Sequence, residues 1–265
     1  MRFSKLNGTV THWAEDGQGD GPAIVFSNSL GTDLRIWDKV VPRLAARYRL
    51  IRHDKRGHGL SDAPAGPYTI DALASDLLAL ADARGLDRFA LVGLSVGGLI
   101  AQKVAVRAPS RLTALVLCDT AAKIGTDEMW AARIAAIERG GIDAIADGIL
   151  ERWFSKRFRA EQPDDLAGWR NMLARTPVAG YLATSAAIRA EDLRAAVRGI
   201  ATPTLVLVGE EDGSTPPAVV EATAGLIPGA RFEVIASAGH LPCIEQPEVL
   251  ARLIDRHITT AATHA

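Results

Sequence analysis

A single hydroxyl sits between two glycines in Gly93-Leu94-Ser95-Val96-Gly97, after the apolar run "FALVGL" (89 to 94) and before "VGGLIAQKVAV", where Leu99, Ile100 and Val104 recur with helical spacing. Glycine loses more conformational freedom on folding than any other residue, so the pair marks a backbone requirement. G-x-S-x-G between a strand and a helix is the pattern of a sharp, strained turn that thrusts a serine outward as a nucleophile. A β-carbon at Gly93 or Gly97 is expected to collide with neighbouring backbone. At the head of the helix, N–H groups and the helix dipole favour a developing negative charge, so Ser95 is the candidate nucleophile.

A serine alcohol needs a base to take its proton, and the base needs an acid to hold it. In this setting the chain order is serine, acid, histidine. His12, His53 and His58 precede Ser95, and His257 and His264 fall on the last helix or the tail. His240, in "ASAGHLPCIEQP" just after the last strand-like run, is the candidate base. "LVLVGEEDGSTPP" offers Glu210, Glu211 and Asp212 after the preceding run. Asp212 is short and followed by Gly213, which suits a fixed turn, whereas the glutamates read as solvated. Asp119, at the end of "LTALVLCD", is the alternative acid. The oxyanion needs two backbone donors: Val96 N–H and, from Asn28-Ser29-Leu30-Gly31 after "AIVFS", Leu30 N–H.

Short apolar runs at 23 to 27, 48 to 53, 89 to 94, 112 to 119, 204 to 210 and 231 to 237 read as buried parallel strands. Between most of them lie helical segments such as 70 to 85, ending at Gly85 as a C-cap would. Alternation of this kind predicts an α/β fold, a mostly parallel sheet flanked by helices, with ligands at the carboxyl ends of the strands. Asn7-Gly8 marks an antiparallel hairpin before it. From Lys123 to Arg198 the alternation stops, and four segments with helical spacing (127 to 140, 142 to 154, 164 to 176, 180 to 197) predict an inserted all-helical cap. The expected division is a core of 1–122 and 201–265 with a cap of 123–200. The terminal "TTAATHA" is expected to fray.

Composition narrows the partners. With 265 residues, a formal net charge of -1 and 48% hydrophobic residues, the chain has ample core and no basic stripe for nucleic acid. No window reaches the length of a membrane span, and the N-terminus lacks the apolar region of a signal peptide. Cys118 and Cys243 make neither a disulfide framework nor a zinc site. The expectation is a cytoplasmic protein with a small partner and reduced thiols; the sequence leaves its oligomeric state open.

With these residues assembled, the chain resembles an α/β-hydrolase with a helical cap, and more narrowly the 3-oxoadipate enol-lactonases of aromatic catabolism. The stretches that carry the likeness are "FSNSLGTDLRIWD", "RHDKRGHGLSDAPAGPYTI", "GLSVGG", "DTAAKIGTDEMWAARIAAI", "RWFSKRF", "TPTLVLVGEEDGSTPP" and "HLPCIEQPE". The resemblance implies Ser95, Asp212 and His240 as a catalytic triad and, as substrate, a five-membered enol lactone with a carboxymethyl arm, hydrolysed without metal or organic cofactor. Val96 stands where family members often carry Met, and Pro242-Cys243 where Ser-Asn is common. An anionic lactone needs a cation in its pocket. Arg133 is the leading candidate, with Arg189 and Arg152 behind it, Trp130 and Trp153 as walls, and Ser29 on the oxyanion loop. In "DKRGHG", Asp54, Arg56 and His58 read as loop ties. A broader carboxylesterase, a carbon–carbon bond hydrolase, a perhydrolase and a non-catalytic ligand receptor on the same fold remain open at this stage. Dehalogenase and epoxide-hydrolase chemistry is disfavoured, since those relatives place Asp at the elbow.

Overall fold

The computed structural model describes residues 1–263. Strands β1 (Arg2–Leu6) and β2 (Thr9–Gly17) form the hairpin, and β3 (Ala23–Ser27) follows. Asn7 and Gly8 turn the chain with φ of 47° and 78°, the left-handed pair that a two-residue hairpin requires. A one-turn helix α1 (Val41–Leu44) leads to β4 (Arg49–His53), then come α2 (Ile70–Ala83), β5 (Phe89–Leu94), α3 (Val96–Arg107) and β6 (Leu112–Cys118). The sheet order is β1-β2-β4-β3-β5-β6, continued by β7 (Thr204–Gly209) and β8 (Arg231–Ile235).

All pairings from β4 to β8 are parallel; β1–β2 and β2–β4 are antiparallel. The six apolar runs are therefore strands, each trimmed by no more than two residues. The central ones are buried on both faces, which is why they read as unbroken apolar stretches. The length of β2 and its place beside β4 were not legible, because its residues alternate only weakly. Chain direction across the sheet reverses at β3, which is followed by β4 on one side and β5 on the other. The loops after β3 and β5, carrying Leu30 and Ser95, therefore share one crevice.

Between β6 and β7 the described residues contain no strand. Five helices fill the interval: α4 (Asp127–Gly140), α5 (Asp143–Trp153), α6 (Lys156–Glu161), α7 (Pro163–Ala174) and α8 (Val178–Ala190). Helix α6 is additional to the expected four; Ser155 starts it, its Oγ accepting from Phe158 N–H at 3.1 Å. The fourth expected segment breaks at Glu191, and Leu193 N–H turns back to the Ala122 carbonyl at 2.8 Å. Helices α9 (Pro217–Ala224), α10 (Pro242–Glu245) and α11 (Pro247–Ala262) complete the chain. The tail corrects the expectation of fraying: Thr259 to Ala262 continue α11, whose Ile258 and Ala261 face the core. His264 and Ala265 lie outside the described residues.

Burial of ionisable groups leaves a signature on stability. His53, at the end of β4, is 3% exposed, and burial pushes its pKa down to about 4. Burial also holds His58 well below the usual histidine range. Between about pH 6.5 and pH 4 the unfolded chain takes up a proton at His53 and the folded chain does not, so stability is full above that window and lost on acidification through it. For His53 the loss is at most about 3 kcal/mol. The urea midpoint should fall clearly between pH 7.5 and pH 4.5; an unchanged midpoint would show that His53 is charged in the folded state.

Candidate active site

Ser95 occupies the junction of β5 and α3 with φ of 60° and ψ of −120°, a region that residues with a side chain rarely enter. The glycines around it explain how it is held. A β-carbon at Gly93 would lie 2.3 Å from the Gly97 carbonyl oxygen, and one at Gly97 would lie 2.1 Å from that of Ser27. Gly98 would meet the Thr120 side chain at 2.4 Å. Strand end and helix start thus approach closer than any side chain allows. Ser95 N–H donates to the Cys118 carbonyl (3.0 Å), and its own carbonyl accepts from Gly98 N–H (2.8 Å) and Thr120 Oγ1 (2.6 Å).

The loops after β7 and β8 bring the other two residues together. His240, 1% exposed, places Nδ1 2.9 Å from Asp212 Oδ2. Asp212 closes its own turn: Oδ1 accepts from Ser214 N–H (2.7 Å) and Thr215 N–H (3.0 Å), and Oδ2 from Thr215 Oγ1 (2.7 Å). A carboxylate at Nδ1 makes that nitrogen the donor and leaves the lone pair on Nε2. His240 Nε2 lies 3.4 Å from Ser29 Oγ and lines the same cavity as Ser95. Glu210 and Glu211 are exposed, as expected. Asp119 does not replace Asp212 as the histidine's partner, yet it lies in the same cluster: Asp119, Asp212 and His240 each offer a polar atom within 4.8 Å of the others.

Among the described residues, neither Leu30 N–H nor Val96 N–H donates a hydrogen bond. The Leu30 loop is braced by Lys55, which the sequence reading passed over inside "DKRGHG". Lys55 is 3% exposed, and its Nζ donates to the Ser29 carbonyl at 2.6 Å. Burial pushes its pKa down to about 7, against the opposing pull of Asp54 and Asp33. Its neighbours are loop ties, as expected. Asp54 accepts from Leu34 N–H and Leu60 N–H, both at 2.8 Å, Arg56 pairs with Asp76, and His58 Nδ1 lies 3.3 Å from the Arg56 carbonyl.

Above Ser95 and His240 lies a cavity of about 150 Å³. Ser29, Leu30, Trp130 and Trp153 line it, and so do Arg133, Arg152 and Tyr181. The Arg133 guanidinium stacks over the Trp130 ring at 4.6 Å, and among the described residues neither Arg133 nor Arg152 pairs with a carboxylate. Burial, then the neighbouring Arg133, holds Arg152 below the usual guanidinium range. Arg189 is a correction: its side chain is half-exposed, 4.0 Å from Asp127, and outside the cavity lining. Its place on the outer face of α8 is set by helix rotation, which "AAIRAED" does not reveal. Tyr181, about two turns earlier on α8, carried no motif and was missed; it is 1% exposed and lines the same cavity as Arg133.

A nucleophile elbow on a mostly parallel sheet, facing a histidine–aspartate pair from the last two strand ends, defines a hydrolase class, and the chain belongs to the alpha/beta hydrolase family, matching it over residues 24–253. Two similar proteins are 3-oxoadipate enol-lactonases of Acinetobacter baylyi. One is 34% identical over 92% of this chain and 91% of its own length, the other 36% identical over 88% and 87%. Among solved structures, the enol-lactonase from Burkholderia xenovorans LB400 superposes with a TM-score of 0.94 at 39% identity, covering 97% of this chain and 100% of that one.

Replacing the brace under the Leu30 loop should be visible in turnover. Lys55→Met is expected to lower kcat for p-nitrophenyl acetate roughly tenfold with KM within about twofold, because the Leu30 N–H would lose its fixed direction. Unchanged kcat would show that the loop holds itself.

Proposed function

We propose that the protein hydrolyses 3-oxoadipate enol-lactone to 3-oxoadipate, a step of aromatic-compound breakdown, with Ser95, His240 and Asp212 as the triad. The observation that carries this reading is a cavity lined by Ser95 and His240 and also by two arginines, Arg133 and Arg152, that pair with no carboxylate among the described residues. A half-buried guanidinium without a partner has lost part of its hydration, and a carboxylate on the substrate would offset that loss with two hydrogen bonds. The curated relatives' names supply the particular lactone.

His240 Nε2 takes the Ser95 proton as Oγ attacks the lactone carbonyl, and the N–H groups of Leu30 and Val96 receive the oxyanion. Ring opening expels an enol oxygen that ketonises, a good leaving group. His240 then activates water against the acyl-enzyme. Asp212 holds the imidazole in the tautomer that this sequence needs. Trp130 and Trp153 wall the lactone, and Ser29 lies beside His240. The helices between 123 and 200 serve as the cap, and the two buried thiols, Cys118 and Cys243, suit a reducing cytoplasm.

Two measurements test the reading. Labelling by a fluorophosphonate should be lost in Ser95→Ala; persistent labelling would move the nucleophile elsewhere. Arg133→Ala and Arg152→Ala should each lower kcat/KM for the enol-lactone by roughly 10- to 100-fold, the worth of a charge-assisted hydrogen bond, and for p-nitrophenyl acetate by less than about threefold. Equal losses on both substrates would refute an arginine clamp.

A further inference from the structure

Two carboxyl groups, not one, lie behind His240, and the second has no place in the mechanism above. Asp119 directly follows β6 in the left-handed region, with φ of 48°, and is fully buried. Its N–H donates to the Leu207 carbonyl (2.8 Å), and its Oδ1 accepts from Gly209 N–H (2.8 Å), so it ties the ends of β6 and β7 together. Oδ2 is also buried, and among the described residues no donor reaches it. Nor does any cation pair with Asp119 among the described residues. A carboxylate oxygen of Asp119 and one of Asp212 lie within 4.8 Å of each other, and both side chains are buried.

Donor counting decides where the proton of this pair resides. Four donors converge on Asp212: two backbone N–H groups on Oδ1, and the Thr215 hydroxyl and His240 Nδ1 on Oδ2. Asp119 receives one, at Oδ1, while Oδ2 receives none. Two ionised carboxylates this close repel each other, and a buried acceptor without a donor is costly. One proton on Asp119 Oδ2 relieves both.

We propose that Asp119 is a positioning residue for the Asp212–His240 pair, held as the neutral acid and donating from Oδ2 to the Asp212 carboxylate. Burial first, and then the Asp212 charge, hold the Asp119 carboxyl well above the usual carboxylate range. Of the other ionisable groups facing it, Glu245 is acidic, the Cys118 and Cys243 thiols are held neutral by burial, and His240 turns its Nδ1 to Asp212. The donated hydrogen bond limits how strongly Asp212 pulls on His240 and fixes the orientation of its carboxylate. This rests on the triad reading, but not on the identity of the lactone.

The resting enzyme at neutral pH should show the infrared C=O stretch of a protonated carboxylic acid, retained in Ser95→Ala and absent from Asp119→Asn. Asp119→Leu should lower kcat for p-nitrophenyl acetate roughly tenfold with little change in KM. It should also move the acid limb of kcat/KM to higher pH, because Asp212 loses a donor and holds the imidazolium more tightly. Asp119→Asn, which keeps the acceptor for Gly209 and a donor for Asp212, should recover most of that loss and return the limb to its wild-type position. Absence of the band, or an acid limb that falls by about a unit in Asp119→Asn as an adjacent negative charge is removed, would overturn the proposal. Should the leucine variant fail to fold, the infrared and asparagine measurements still decide. Neither uses the enol-lactone, so a wrong substrate assignment leaves them intact.

Discussion

The bend at Ser95 is a conformation of the sort that costs on the order of 1–3 kcal/mol and persists only where its surroundings over-determine it. Here three segments do so. Gly93 lies under the Gly97 carbonyl, Gly97 against Ser27 at the end of β3, and Gly98 against Thr120 beyond β6. Hydrogen bonds from Ser95 to Cys118 and from Thr120 to Ser95 bind the bend to β6 as well. The constraint propagates outward. Helix α3 must begin at Val96, so its first N–H points free beside the serine, and β3 must run next to β5, so the loop carrying Leu30 faces the same crevice.

Around that bend the molecule buries more ionisable groups than a hydrophobic core needs. Lys55 is enclosed to hold a loop carbonyl and Asp212 to orient an imidazole, while Arg133 and Arg152, half-buried, line a cavity walled by tryptophan. Each burial opposes folding unless hydrogen bonds compensate it. Lys55 and Asp212 are compensated within the chain. The two arginines lack a carboxylate among the described residues.

Helix α5 joins the inserted helices to this chemistry. Its last carbonyls, on Arg152 and Trp153, accept from Gly213 N–H (3.1 Å) and His240 N–H (2.8 Å), the loops that present the acid and the base. Glu245 extends the link, accepting from Ser155 Oγ and from Gly239 N–H. The residue that bears one arginine of the cavity therefore also fixes the backbone beside Asp212. Displacing α5 would disturb both the cavity and the histidine loop.

Features written in local backbone demands were legible from the residues alone. Glycine at 93 and 97, the unbroken apolar runs and Asn7-Gly8 each specify a conformation that few other residues permit, so the elbow, the parallel strands and the hairpin follow from them. The order serine, acid, histidine at strand ends pointed to Ser95 and His240 because such ends converge in a sheet of this kind, and it left Asp119 as an alternative to Asp212, which the following Gly213 favoured. Side-chain direction within the helical insertion was not legible. Its helices bury residues on several sides, so spacing does not say which arginine turns inward, and the structure chose Arg152 beside Arg133 and left Arg189 at the surface. Tyr181, Lys55 and the approach of Asp119 to Asp212 were hidden for the same reason: each depends on a contact between segments far apart in the chain, and only packing in three dimensions brings such segments together.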